Sequence, residues 1–279
     1  MAILTISRQF GSGAEEIGEA IARELGYEYL DWQKIIDDMK QFGSLWEERD
    51  QHYDEKKPDL WESHEWSFQG YVALSQSKIL ARALKNNCVL VGRGSNFLLR
   101  GVKHHLGIRI EAPLANRVKA VTGHYRINGE NAKWLISKID REMAGSVYIV
   151  YGRVWDDAQE YDLCFDMGKN STDEIVKILK AALVEKDNLY TETSQAIIAL
   201  RLRAAEVKAG IACDPSFTTL LLGVQPNEEG MPEYGLILRA VVSSHRDVKR
   251  MKAVAKELAG DVSIDCRVRT QMASRFPKR

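Results

Sequence analysis

Between Met1 and Gly26 a short apolar run, a glycine turn and an amphipathic helix follow one another, and few local patterns restrict a fold as much. Ile3, Leu4 and Ile6 read as a strand, and Gly11 and Gly13 of Ile6-Ser7-Arg8-Gln9-Phe10-Gly11-Ser12-Gly13-Ala14 let the backbone turn where a side chain would block an approaching anion. Ile17, Ala20, Ile21 and Leu25 then share one helical face, and Gly26 stops the helix. Amides at such a helix start are unpaired and carry partial positive charge. Phosphate is their natural ligand.

The rest of the first two thirds alternates strand and helix. Tyr27 to Leu30 reads as a strand ending at Asp31, and Trp32 to Met39 as a helix. The charged stretch from Gln41 to Trp66, with Trp46, Trp61 and Trp66, suits a mobile cover better than a core, although the tryptophans must bury their rings against something. Phe68 to Lys85 is helical, and Cys88-Val89-Leu90-Val91 is a doubly buried strand ending in Gly92-Arg93-Gly94. Leu106 to Glu111 and Tyr161 to Phe165 are further strands. Helices are expected from Pro113 through Val121, from Asn131 to Ala144, and from Ser171 to Glu185, the last with a capping box. This alternation predicts an α/β fold with a parallel sheet flanked by helices.

The rhythm then changes to α-β-β-α-β: helix Thr191 to Ala209, strands Thr218 to Val224 and Leu236 to Val242 around the turn 226–230, helix Asp247 to Leu258, and strand Val262 to Arg269. Asp187-Asn188 suggests a short linker, so domains are expected over 1–186 and 190–279.

Lys plus Arg and Asp plus Glu both number 39, so no global field attracts nucleic acid or an anionic membrane, and neither partner is expected. Cys88, Cys164, Cys213 and Cys266 are far apart without a C-x-x-C pair, which suggests reduced thiols and no metal site. With no secretory or membrane-spanning stretch, a cytoplasmic protein is expected. His64-Glu65 lacks the second histidine of a zinc motif, and Ser75-Gln76-Ser77-Lys78 lacks its companion motifs. The basic end, Arg267 to Arg279, reads as a solvated tail.

An ordered set of segments resembles the cytidylate kinase-like family, a branch of the P-loop nucleoside monophosphate kinases. It comprises Ile6 to Gly13 with Ile17, Leu25-Gly26-Tyr27 with Asp31, Val89 to Gly94, Ala112-Pro113-Leu114 with Arg117-Val118, Asp140, Gly152 with Trp155, and Tyr161-Asp162-Leu163. The resemblance implies a P-loop kinase-like sheet and phosphoryl transfer from ATP, with Mg²⁺, to a nucleoside monophosphate such as CMP. By the same resemblance Gly11, Ser12, Gly13, Ala14 and Glu15 would hold donor phosphates. Arg93 would face the acceptor phosphate, Arg8, Asp31 and Arg117 would line the acceptor pocket, and Arg141 and Arg153 would flank a closing lid. The C-terminal part resembles a BON domain in Leu236 to Val242, Leu258-Ala259-Gly260 and Val262 to Asp265, which implies a regulatory or binding module.

Structural uses compete for the same residues. Arg93 could bind carboxylates at the sheet edge, Arg117 could be a solvated helix charge, Asp31 could cap the following helix, and Arg141 and Arg153 could be surface charges. The chain also departs from the family. Ala14 takes the place of the P-loop lysine, Glu15 and Glu16 replace the hydroxyl pair, and Met143 stands where a lid arginine is expected. Two carboxylates suit the helix dipole but repel a triphosphate. The alternative function is a degenerate kinase fold that senses a nucleotide or small phosphorylated ligand; the sequence is compatible with a homo-oligomer.

Overall fold

The computed structural model of the chain describes residues 1–53, 57–59, 62–217, 219–227 and 235–270. Trp61, Thr218 and most of the turn expected at 226–230 lie outside these residues. The chain divides into two compact units, Met1–Asp59 with Lys78–Ile198, and Leu60–Ser77 with Ala199–Arg279.

The first unit holds a five-stranded parallel sheet of β1 (Ile3–Arg8), β2 (Glu28–Leu30), β3 (Cys88–Val91), β4 (His105–Glu111) and β5 (Leu163–Asp166), in the order β2-β3-β1-β4-β5. With β1 central, the chain moves first to one side of it and then to the other. The reversal opens a crevice at the carboxyl ends of β1 and its neighbours, where such sheets bind ligands. Helices α1 (Ala14–Leu25), α2 (Trp32–Lys40), α3 (Leu45–Tyr53), α4 (Trp66–Ala83), α5 (Ser95–Leu98), α6 (Leu114–Tyr125), α7 (Gly129–Tyr151) and α8 (Thr172–Asp187) follow in chain order, α4 belonging to the second unit up to Ser77 and to the first from Lys78. The central strands β1, β3 and β4 are buried along nearly their whole length, and on one face of the sheet Leu4, Ile6, Val89, Ile108 and Ile110 pack against Ile17 and Ile21 of α1 and Ile175 and Leu179 of α8.

Three local features differ from the sequence reading. The stretch taken as a mobile cover contains a regular helix, α3, and its Trp46 is buried, as a ring of that size was expected to be, together with Tyr53. Helix α7 runs on to Tyr151, because Val147 continues the buried face of Ala132, Ile136 and Met143 beyond Ala144. The one-turn α5 was not anticipated, since four residues carry no readable period.

Just before β4, His104 is fully buried; its Nδ1 pairs with the Ser194 hydroxyl (2.8 Å) and its Nε2 with Asn86 Oδ1 (3.1 Å). Burial pushes its pKa below the ordinary 6.5, the Met1 ammonium adds to that, and Asp187 opposes it. A histidine held neutral in the fold takes up a proton more readily once unfolded. Its contribution is therefore complete above pH 6.5 and is lost as pH falls below that value toward the depressed one. The urea midpoint is expected to drop between about pH 7.5 and about pH 5.5, and the drop should shrink in His104→Gln.

Helix α9 (Glu192–Ala212) spans the division between the units. In the second unit β6 (Thr219–Asn227) pairs antiparallel with β7 (Gly235–Val242), and β7 pairs parallel with β8 (Ser263–Thr270) through α10 (His245–Ala259). Met251, Ala255 and Ala259 are the buried stripe of α10. No helix among the described residues is long and apolar enough to cross a membrane.

Candidate functional site

The β1–α1 turn is built as the sequence suggests. Gly11 and Gly13 have φ of 75° and 83°, and a Cβ on Gly11 would lie 2.8 Å from Val121. Gly13 is the N-cap of α1 and supplies no side-chain acceptor, which leaves the first amides of the helix for a ligand. Neighbouring elements pin the loop. Gln9 N–H donates to the Ile110 carbonyl (3.0 Å), Ala112 N–H donates to Gln9 Oε1 (3.1 Å), and Phe10 N–H donates to Asp140 Oδ1 (3.0 Å). Asp140 Oδ2 in turn accepts from Arg117 Nη1 at 2.6 Å. Inside the loop Ser12 is buried and its hydroxyl has no partner, an orphan that a bound oxyanion or metal-bound water would satisfy.

The second part of the site is the end of β3. Gly92, Arg93 and Gly94 all adopt left-handed φ, 84°, 57° and 66°. A Cβ on Gly94 would enter the Tyr151 ring, so that glycine is required by close approach as well as by φ, whereas a Cβ on Gly92 would meet only the mobile end of Arg8 (2.8 Å to Nη1), and its requirement is one of φ. Arg93, the non-glycine among them, bears backbone strain of the kind that accumulates at functional sites. It is held there: Tyr151 O–H donates to its carbonyl (2.9 Å), and its guanidinium stacks 4.2 Å from the centre of the Trp32 ring. Burial pushes its pKa down to about 9, and the like charge of Arg8 adds to the shift. The group is still cationic at neutral pH.

Arg8 Nε donates to Glu15 Oε1 at 2.7 Å. The structure therefore brings Arg8, Arg93, Glu15 and the glycine loop together at the carboxyl ends of β1 and β3. Nearby, the Tyr29 phenol is pushed up to about 12, first by burial and then by Glu15, Glu19 and Asp31. Asp31 accepts from Lys34 N–H (3.0 Å) as the N-cap of α2 and lines a small pocket with Trp32, Gly92 and Arg93. Cap and pocket edge coincide in this residue.

The remaining candidates are placed differently. Arg117 is buried in its pair with Asp140 beneath the loop. Arg141 is exposed on α7, and Arg153 pairs with Glu160 at 3.3 Å. Met143 is buried with Val147 and Trp155. Sequence reasoning had not singled out Trp32 or Tyr151, which hold Arg93. Trp32 had a signal in its position directly after Asp31, whereas Tyr151 depends on the full length of α7.

A family model described as the cytidylate kinase-like family matches residues 3–169. The cytidylate kinase of Pyrococcus abyssi is 24% identical over 188 residues, which cover 67% of this chain and 95% of that protein. That of Pyrococcus furiosus is 25% identical over 185 residues, covering 66% and 90%. Among solved structures, an uncharacterized protein from Eubacterium ventriosum superposes with a TM-score of 0.51 at 18% identity, covering 66% of this chain and 98% of that one, a likeness of fold.

Proposed function

This chain belongs to the cytidylate kinase-like family, and from that premise we propose that it transfers a phosphoryl group from ATP to a nucleoside monophosphate such as CMP. The observation that carries the reading is the juxtaposition of Arg8 and Arg93 beside the uncapped start of α1. Two guanidiniums can grip an acceptor phosphate while the amides of Gly11 to Glu15 hold the donor's phosphates. Phosphoryl transfer asks for little beyond such positioning and charge neutralisation. Asp31 and Trp32 border the acceptor side, and Arg117 acts through Asp140 to hold the loop.

The oxygen donors at the loop are the orphaned Ser12 hydroxyl and the Glu15 carboxylate. They fit Mg²⁺, which takes one or two protein oxygens and completes its shell with substrate phosphates and water. When bound, the ion would neutralise the charge of the transferring group.

A second reading, nucleotide binding without turnover, is favoured by the Arg8–Glu15 ion pair inside the site and by buried Met143 where a lid arginine would stand. On either reading the 190–279 region is a regulatory or binding module. A coupled assay with ATP, Mg²⁺ and a panel of monophosphates, run beside calorimetry of each nucleotide alone, separates the two; if no nucleotide binds, neither survives. Glu15→Gln is expected to tighten ATP binding without Mg²⁺ by about tenfold, since like charges at a few ångströms cost on the order of 1 kcal/mol. Unchanged affinity in calorimetry would show that Glu15 does not face the triphosphate.

A further inference from the structure

Helix α3 carries a charge on its inward face. Trp46, Asp50 and Tyr53 recur at helical spacing along one side of it, and both aromatic residues are buried. Asp50 lies between them and is half-buried. A carboxylate withdrawn from water is costly unless it is hydrogen-bonded. Asp50 Oδ1 accepts from Trp32 Nε1–H at 2.7 Å, the length of a charge-assisted bond. A separate pair, Lys40 with Glu47 at 2.9 Å, already ties α3 to α2, so attachment of the helix does not by itself explain a carboxylate on this face.

Trp32 is the first residue of α2, where the Asp31 cap fixes its backbone. The cap leaves the ring free to change rotamer, and a bond to the indole N–H removes that freedom. Across the face of the same ring lies the Arg93 guanidinium, 4.2 Å from the ring centre. Arg93 is thus set at both ends, its carbonyl by the Tyr151 hydroxyl (2.9 Å) and its fork by the Trp32 ring. Asp50 also faces the guanidinium as an opposite charge, against the desolvation and the like charge of Arg8.

We propose that Asp50 is a positioning residue for the acceptor phosphate: it fixes the Trp32 indole, and the indole presents the Arg93 fork before the ligand arrives. This role rests on the reading of Arg93 as the group that grips a monophosphate. It extends the acceptor site to a helix that does not reach the glycine loop, and it makes part of the affinity a matter of preorganisation, since a fork already in place loses less freedom on binding.

The test is calorimetry of CMP and of ATP with the full-length protein. Asp50→Ala is expected to weaken CMP about tenfold, the scale of one hydrogen bond to a charged group, and to leave ATP within about twofold. Asp50→Asn keeps an oxygen acceptor for the indole and should restore CMP affinity to within about threefold of the wild type. Trp32→Phe keeps a ring for stacking but has no N–H, so adding Asp50→Ala to it should change CMP affinity by less than about twofold. Full additivity of the two substitutions would mean that Asp50 does not act through Trp32, and the proposal would fall. It would fall equally if Asp50→Ala bound CMP as the wild type does, or lost ATP and CMP alike. If the wild type binds no monophosphate, the reading of Arg93 fails and this role with it; if the wild type binds and Asp50→Ala is silent, the role alone fails.

Discussion

Arg93→Ala is expected to lower kcat/KM for the monophosphate by about a thousandfold or more, the scale of a guanidinium that stabilises a transferring phosphoryl group. The substitution leaves the backbone free to keep its turn. Gly92 and Gly94 retain their left-handed φ, Tyr151 still donates to the residue-93 carbonyl, and alanine at φ near 57° is strained much as arginine was. The loss would thus come from the guanidinium itself. It is desolvated, stacked on Trp32 and adjacent to Arg8, so an incoming dianion relieves like-charge repulsion as well as gaining two hydrogen bonds. Arg93→Lys keeps the charge without the fork and should recover only part of the activity. Circular dichroism would verify the fold, and initial rates against monophosphate concentration would divide the loss between KM and kcat. If the wild-type protein binds CMP without turnover, the same variant should abolish the calorimetric signal. A loss below tenfold in either readout would make Arg93 a structural residue of the sheet edge.

The site was legible in the sequence where the signal is local and hidden where it depends on distant partners. The glycine turn and α1 follow from adjacent residues, and Gly92-Arg93-Gly94 stood out because a doubly buried strand ends there. Ala14 and Glu15 were equally plain, and the ion pair from Glu15 to Arg8 gives their effect on charge a concrete form. Arg117 was not readable as a brace. On a helix it resembles any solvated charge, and its burial comes from Asp140 on a separate helix that also caps the Phe10 amide. Composition marks the 41–66 stretch as one whose tryptophans must bury their rings, but it does not reveal the regular helix α3 on which Trp46 does so. Periodicity reports which face of an element is apolar; it does not report which charged residue the neighbouring elements will enclose.

Arg109 is the strongest instance of such enclosure, and Arg109→Ala is expected to destabilise the first unit by about 3–5 kcal/mol, the usual consequence of emptying a buried, paired position. It sits on β4 in register with Ser7 of β1 and Cys164 of β5 and is 2% exposed. Its Nε donates to Glu111 Oε1 (2.7 Å), its Nη1 donates to the Trp155 carbonyl (2.9 Å), and its guanidinium lies 4.3 Å from the Trp155 ring centre. Neither polar partner accounts for much of the loss. Glu111 is 43% exposed and can return to water, and the Trp155 carbonyl keeps a second donor in the Tyr161 hydroxyl (2.7 Å). Most of the loss should therefore come from the stacking and from the volume left between Trp155 and Tyr161. Arg109→Met tests this division, since it restores volume without either hydrogen bond and should regain about half of the lost stability. Urea unfolding followed by tryptophan fluorescence measures both variants. Trp155 Nε1 also donates to the Ser7 hydroxyl (3.0 Å), and Ser7 precedes Arg8, so loosening at position 109 passes to the end of β1. Arg109→Ala should accordingly weaken nucleotide binding at temperatures where it remains folded. Equal stability of the alanine variant and the wild type would mean that β4 tolerates an empty centre, and the coupling from Trp155 to the glycine loop would fall with it.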